Sequence, residues 1–416
     1  MPDRIVLTWI GDPATTQAVS WRTDSTGRAP ALQLTRADAS PNLAEIARTL
    51  PGETDSLRTE NGVALHHSAT LTGLESASLY AYRVTGGNGV WSEWFHFRTA
   101  SANPEPFSFL YFGDAQNEIR SLWSRVVRTA HGSIPDARFM IHAGDLVDGR
   151  EGNHDTEWGE WFGAGSWLNA MLSSIPATGN HEYVKDTTDE YSGLSPHWRR
   201  QFRLPTHGPA GFEQTVYYVD YQGVRVIVLN SLEAVEWDRA AVQARWLEGV
   251  LRDNPNRWTV VAYHHPMYSV REGRDNPQLR EHWRPLFERY RVDLVLQGHD
   301  HAYGRGRNVA EGTTARDGAS GTVYVVSVSG PKMYLIDTAA TWMERRGEST
   351  QLYQVVRVEA GRLRFEARTA TDELYDAFDI VKRPNAPNLF VDRRPATPER
   401  RGVARRTPVE SPAPVH

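Results

Sequence analysis

Five short polar stretches carry the residue types that bind metal ions: FGDAQN (112–117), AGDLVDG (143–149), TGNHE (178–182), AYHHPMY (262–268) and QGHDHAY (297–303). They offer carboxylates at Asp114 and Asp145, an amide at Asn180, and imidazoles at His181, His264, His299 and His301. Thiolate is excluded, because the chain contains no cysteine. Oxygen and imidazole donors without sulfur suit hard or borderline ions such as Mn, Zn and Fe. A lone Gly-Asp or His-x-His says little. Five such tips in succession, each behind an apolar strand or a short lead, point to one metal-binding constellation. Single positions have plainer readings: Asp114 and Asp145 as helix N-caps, Asn180 as a turn residue. His264 and His265 are adjacent and point to opposite sides of an extended backbone, so one of the two is the ligand. His299 and His301 are two apart, share a face and can serve neighbouring ions.

Elements that position these tips are readable from the pattern. Residues 1–100 form short β-branched and aromatic runs separated by turns, including RIVLTWIG, QAVSWRT, LYAYRVTGG and SEWFHFRTA. Their spacing fits a β-sandwich of roughly 100 residues. SANPEP (101–106) is a short Pro-containing linker. From 106 to 383 strands alternate with helix-like segments such as RSLWSRVVRTAHG, AVQARWLEGVLRD and LREHWRPLFERY. That alternation predicts a layered α/β domain with its polar tips at strand ends. From Pro384 to 416 the chain is Pro- and Arg-rich and is expected to be a disordered tail.

Bulk properties bound the function. With 416 residues two domains are expected, and a net charge of -5 gives no reason to make nucleic acid the partner. No apolar run is long enough for a membrane span. The start, MPDRIVLTWI, has no apolar signal-peptide region and enters a strand-like run at once.

Taken together, the motifs resemble those of the calcineurin-like metallophosphoesterases, and most of all their purple acid phosphatase branch. Three stretches carry the narrower resemblance: the opening LTWIGDPATTQAVSWRT, the HHPMY motif and YRVDLVLQGHDHAYGR. It spans about residues 4–383 and implies a sandwich of fibronectin type III kind ahead of a four-layer α/β/β/α domain. TLTGLESASLYAYRV resembles the corner of such a sandwich, with Leu74 against Tyr80 or Tyr82. The resemblance also decides between two Gly-Asn-His copies. Asn180 lies 35 residues after Asp145, the family's separation across a helix, whereas Asn153 lies 8 after it. Residues 179–182 are therefore the working loop, with His154 on the rim or facing substrate.

What the resemblance implies is hydrolysis of phosphate esters at a dinuclear centre, since two ions about 3.5 Å apart can clamp attacking and departing oxygens. Asp145 is expected to bridge the ions. Asp114 and His301 go with the first, Asn180, His264 and His299 with the second, and a metal-bound hydroxide attacks phosphorus in line. His181 is the expected general acid.

Departures from the family are informative. Three residues after the bridging Asp, purple members have an iron-binding Tyr; this chain has Asp148. The resemblance to other metallophosphoesterases implies that Asp148 orients His181 by a hydrogen bond. Gln116 stands where many relatives have a ligand His; it ligates through its carbonyl oxygen or hydrogen-bonds a metal-bound water. The first site is thus one firm ligand short and is expected to bind weakly or to prefer Mn or Mg over Fe; for the centre as a whole the expected ions are Fe, Zn or Mn. SVREGRDNPQ (269–278) lacks the phosphate-gripping histidines of plant relatives, leaving Arg271 and Arg274 for that role or as a solvated loop. Trp158, Trp161, Trp167 and Trp198 wall a pocket or fill the core.

The expected activity is phosphomonoester hydrolysis of acid phosphatase type. The alternatives are a phosphodiesterase with the same centre, and a binding or adhesion protein with a weak catalytic domain. Relatives of this two-domain kind imply a secreted or periplasmic location.

Overall fold

The computed structural model of the chain describes residues 1–87, 89–149, 154–307 and 320–402. Asn153, in the first Gly-Asn-His copy, and residues 403–416 of the tail lie outside the described residues.

The N-terminal domain is a β-sandwich of two four-stranded antiparallel sheets. One runs Asp3–Thr8, Gln17–Asp24, Gly62–Leu71, Glu53–Thr59; the other runs Arg48–Pro51, Ala31–Arg36, Leu79–Thr85, Phe95–Arg98. Leu32, Leu34 and Phe97 alternate with half-buried or exposed neighbours and point inward, where Trp21, Tyr82 and Val84 join them to fill the sandwich core. Leu74 is buried there, and the backbone N–H of Glu75 donates to the Tyr80 hydroxyl (2.9 Å), which makes Tyr80 the corner residue. Tyr82 does something else: its hydroxyl donates across the domain boundary to the Ala170 carbonyl (2.6 Å).

Two seven-stranded mixed sheets stack face to face in the second domain. The first contains the parallel strands Phe107–Phe112, Phe139–His142 and Ser173–Pro176. The second contains the parallel strands Val224–Val228, Trp258–Ala262, Leu294–Gln297 and Val323–Val326. These strands are apolar on both sides because both faces are covered. Val260 and Leu294 face the other sheet, while Val261 and Val295 face Leu247, Leu279 and Phe287 on the helices. Helices Ser124–Ser133 and His154–Gly165 cover the first sheet. The result is four layers, α/β/β/α. LREHWRPLFERY forms two helices, Pro277–His282 and Arg284–Arg289, broken just before Pro285, which cannot donate to a preceding turn.

One expectation needs correction. The tail is not unstructured from 384: Ala386–Asp392 pairs antiparallel with Leu374–Arg383 and closes the first sheet. The composition is poor in apolar residues, but a tight hairpin makes the pairing local. One aromatic, Phe390, anchors it by stacking on Phe378 (5.3 Å between ring centroids). The chain beyond it is also tied down, Arg346 to Glu399 (3.2 Å) and Arg400 to Glu373 (3.0 Å).

Domains meet through buried polar contacts. Arg4 pairs with Asp155 at the start of helix His154–Gly165 (2.6 Å), and Arg22 reaches the same carboxylate (3.2 Å). Asn61 donates to it as well (3.1 Å). No described helix is long and apolar enough to cross a membrane.

Candidate metal centre

All five polar tips emerge at the C-terminal ends of parallel strands, and stacking of the two sheets brings those ends together. Asp114 follows Phe107–Phe112, Asp145 follows Phe139–His142, and Asn180 follows Ser173–Pro176. His264 follows Trp258–Ala262 on the second sheet, and His299 and His301 follow Leu294–Gln297. The loops approach so closely that backbone geometry is constrained. At Gly144 (φ +87°) a Cβ would lie 2.6 Å from the Gly179 backbone nitrogen and 2.8 Å from His264 Nδ1. Asp145, His299 and His301 themselves hold positive φ, a strained conformation of the kind that gathers at functional sites.

Two ligand groups result. Asp145, His264 and His299 form one, and Asp114, Asp145 and His301 the other, each with ligating atoms within 4.8 Å of one another. Asp145 belongs to both. Asn180 joins the first group: its Oδ1 lies 3.1 Å from His264 Nε2 and 3.0 Å from His299 Nδ1. Tautomers are set from behind. His264 Nδ1 donates to the Ala143 carbonyl (2.8 Å) and His301 Nδ1 to the Lys332 carbonyl (3.1 Å), so each turns Nε2 inward. His265 lies outside the groups, its Nδ1 3.0 Å from the Ser231 hydroxyl and its ring against His299.

Gln116 donates its amide to Asp145 Oδ2 (2.8 Å). Its carbonyl oxygen and Asp114 Oδ1 are buried and accept no hydrogen bond. Orphaned buried oxygens beside imidazoles are what a cation would satisfy, so the donor set fits metal ions. Electrostatics agree. Burial, with Asp145 adding, pushes Asp114 up to about 7 against the pull of His264. Burial also opposes ionisation of Asp145, yet His264 and His181 hold it well below the usual carboxylate range. Burial alone would lower His264, but Asp145 and Asp114 raise it to about 9. The carboxylates thus demand positive charge, which a protonated His264 supplies from within the cluster and Lys332 adds to at Asp114.

His181 stands at the edge of this cluster. Its Nδ1 lies 2.8 Å from Asp148 Oδ1, and its Nε2 lies 3.8 Å from Asp145 Oδ2. Asn117 donates to the other Asp148 oxygen (2.7 Å). His154 is the first residue of its helix, its Nδ1 3.2 Å from Ser195 Oγ. His142 is buried, stacked on Phe112. Trp158, Trp161 and Trp198 are core residues, whereas Trp167 is exposed.

Arg271 and Arg274 sit differently from each other. Arg274 is tied to Asp300 (2.9 Å) and to the His299 carbonyl (2.8 Å), so it braces the His299 loop. Arg271 lies over the ring of Tyr334, 4.2 Å from its centroid. Sequence reasoning missed two contributors. Glu182 is fully buried and accepts from the backbone N–H of Asp145 (2.9 Å), Leu146 (2.8 Å) and Gly179 (2.7 Å), clamping two loops together. Burial and then Asp145 raise it to about 7. The other is the segment after Val323–Val326, which reaches Lys332 and Tyr334; GPKMY holds no strong ligand type and so passes unmarked, although it too follows an apolar strand.

Fold and site together define an α/β/β/α protein with a preformed carboxylate–imidazole centre for two ions. Residues 107–303 match the family model of the calcineurin-like phosphoesterases, and residues 2–99 that of the purple acid phosphatase N-terminal domain. Segment by segment, the chain thus carries a calcineurin-like phosphoesterase domain behind a purple acid phosphatase N-terminal domain. An uncharacterized protein of Mycobacterium tuberculosis is 27% identical over 368 residues, covering 75% of this chain and 66% of the relative. The Fe(3+)-Zn(2+) purple acid phosphatase 12 of Arabidopsis thaliana is 27% identical over 259 residues, 59% of this chain and 53% of its own. The chain therefore spans about two thirds of the mycobacterial relative and about half of the plant one. The purple acid phosphatase of yellow lupin seeds has the same fold, with a TM-score of 0.76 at 18% identity over 91% of this chain and 74% of that one.

Proposed function

We propose that the chain hydrolyses phosphomonoesters at a dinuclear metal centre. The observation that carries this is the pair of ligand groups sharing Asp145 with His181 beside them. Asp114 and His301 would hold one ion, and Asn180, His264 and His299 the other, with Asp145 between them and Gln116 Oε1 available to the first. Bound ions would supply an activated water and charge neutralisation at phosphorus.

The protein's own groups do the rest. His181 Nδ1 donates to the backbone carbonyl of Asp148, with the Asp148 carboxylate 2.8 Å away as the charge that favours the imidazolium form, leaving the Nε2 proton directed at the cluster. That proton goes to the departing alkoxide or phenoxide oxygen. Glu182 keeps the Asp145 and Asn180 loops in register, and Arg274 does the same for His299. Asp148 in place of the purple members' Tyr supports a colourless centre with Zn or Mn in at least one site. The Tyr80 corner supports kinship of the sandwich with fibronectin type III domains, and we place the domain boundary in the linker at 101–106.

The test is metal analysis of purified protein with hydrolysis of p-nitrophenyl phosphate and bis-p-nitrophenyl phosphate, for wild type and Asn180→Ala. The expected result is about two ions per chain, preference for the monoester, and loss of metal and turnover together in the variant. No metal and no turnover under varied metal supply would overturn the reading.

A further inference from the structure

We infer that Lys332, together with Arg271, forms a cationic rim on Tyr334 that binds the phosphoryl group and selects dianionic monoesters over monoanionic diesters. This inference rests on the phosphatase reading above.

The rim is built by the sixth strand end. After Val323–Val326 the chain wraps the first metal loop: Gly330 N–H donates to the Asp114 carbonyl (2.6 Å), and a Cβ at Gly330 would lie 2.1 Å from the Gln116 carbonyl oxygen. Only a glycine fits that approach. Two residues on, the Lys332 carbonyl receives the His301 Nδ1 proton (3.1 Å), and Tyr334 N–H donates to the His301 carbonyl (3.0 Å). The Tyr334 ring packs on the His301 ring at 4.8 Å. Lys332 is thereby anchored through its backbone to a proposed metal ligand.

A second segment is zipped to the first. Arg271 pairs with Ile336 in an isolated antiparallel bridge, and Asp337 N–H donates to the Val270 carbonyl (2.8 Å). Asp300, fully buried, accepts from the backbone N–H of Val270 (2.6 Å) and Arg271 (3.2 Å) and fixes this strand to the His299–His301 loop. Tyr334 thus has three cations around it: Arg271 at 4.2 Å, Arg274 at 5.3 Å and Lys332 at 5.9 Å from its centroid.

These cations are not equivalent. Arg274 has Asp300 as a partner. Among the described residues, neither Lys332 nor Arg271 has a carboxylate within ion-pair distance, and each is only half-buried. Two cations outside any ion pair, beside a site that would hold two metal ions, would make a field in which each added negative charge on the ligand is favoured. A phosphomonoester dianion gains more there than a diester monoanion.

The experiment uses the full chain with its metals bound and content measured. Inorganic phosphate affinity by calorimetry, and KM and kcat for p-nitrophenyl phosphate and bis-p-nitrophenyl phosphate, are compared for wild type, Lys332→Met, Lys332→Arg and Arg271→Met. Lys332→Met is expected to keep its metals, to weaken phosphate binding about tenfold, and to raise the monoester KM by about as much. The diester KM should move less than about threefold, and Lys332→Arg should restore most of the phosphate affinity. Unchanged phosphate affinity and an unchanged monoester-to-diester ratio in Lys332→Met with metals retained would overturn the rim. A wild type that prefers the diester, with phosphate affinity still lost in Lys332→Met, would overturn the monoesterase reading and leave the rim standing.

Discussion

At the scale of single residues, chemistry at the centre depends on which proton sits where. His264 and His301 spend Nδ1 on backbone carbonyls, so only Nε2 remains to meet an ion. His181 spends Nδ1 on Asp148 and keeps Nε2 for substrate. Replacing Asp148 by Asn removes the charge that favours imidazolium while preserving the shape. We expect Asp148→Asn to retain both ions and to lower kcat about 10- to 100-fold, with the largest loss for esters of poor leaving groups. Kinetics on a leaving-group series check this; equal losses across the series would assign Asp148 a structural role instead.

Elements matter because the ligands are carried on loops, and the loops are held by groups that touch no metal. Glu182 bonds three backbone N–H groups on two loops with one carboxylate. Glu182→Gln would keep the volume but replace one acceptor oxygen by a donor facing N–H groups. Metal affinity should fall about 10- to 100-fold, seen by chelator competition. Gly144→Ala tests the same register differently. Its Cβ would meet Gly179 nitrogen at 2.6 Å in a backbone conformation that disfavours a side chain, so the two loops must separate. That variant should fold with its sheets intact by circular dichroism and yet carry fewer than two ions. Full metal content in it would show that the loops have slack.

On the scale of the whole molecule, the sandwich is bonded to the helix that begins at His154. Asp155 is buried and serves Arg4, Arg22 and Asn61. Asp155→Ala would leave the buried Arg4 guanidinium unpaired and should cost about 3–5 kcal/mol, read as a lower denaturant midpoint. Next to this pair lie His66, His154 and His197, with Arg4, Arg22 and Arg200 nearby and Asp155 and Glu60 as the facing acids. Burial, ahead of neighbouring charges, lowers these imidazoles to about 3, 4 and 3. Their folded values lie below the unfolded 6.5, so the unfolded chain binds more protons between those limits. The stabilisation is full above pH 6.5 and is lost as pH falls through the window down to about 4 and 3. Melting temperature should therefore fall steadily from about pH 6.5 to about pH 4, and His66→Gln should flatten that slope. A melting temperature independent of pH in this range would contradict it.

Metal-binding character was legible in the sequence because each donor sits behind an apolar strand or, at Asn180, a short lead, and the absence of cysteine excludes a thiolate site. Strand and helix alternation was legible too, since burial on two faces leaves runs such as VRVIV and WTVVA with little polar interruption. The start of the tail was misread: its composition looked solvated, but pairing of Ala386–Asp392 needs only a local turn and one anchored ring, Phe390. What the sequence alone could not decide was convergence. Asp114 and His299 are 185 positions apart, yet the His299 N–H donates to the Asp114 carboxylate at 2.8 Å. Nothing local encodes that contact; it follows from stacking two sheets so that their strand ends coincide. The same stacking brought in Glu182, Lys332 and Tyr334, whose types are unremarkable along the chain. Ligand identity is a property of side-chain chemistry and shows in one dimension. Which ligands share an ion, and which charges are left unpaired around it, depends on packing between distant segments and is decided only in three.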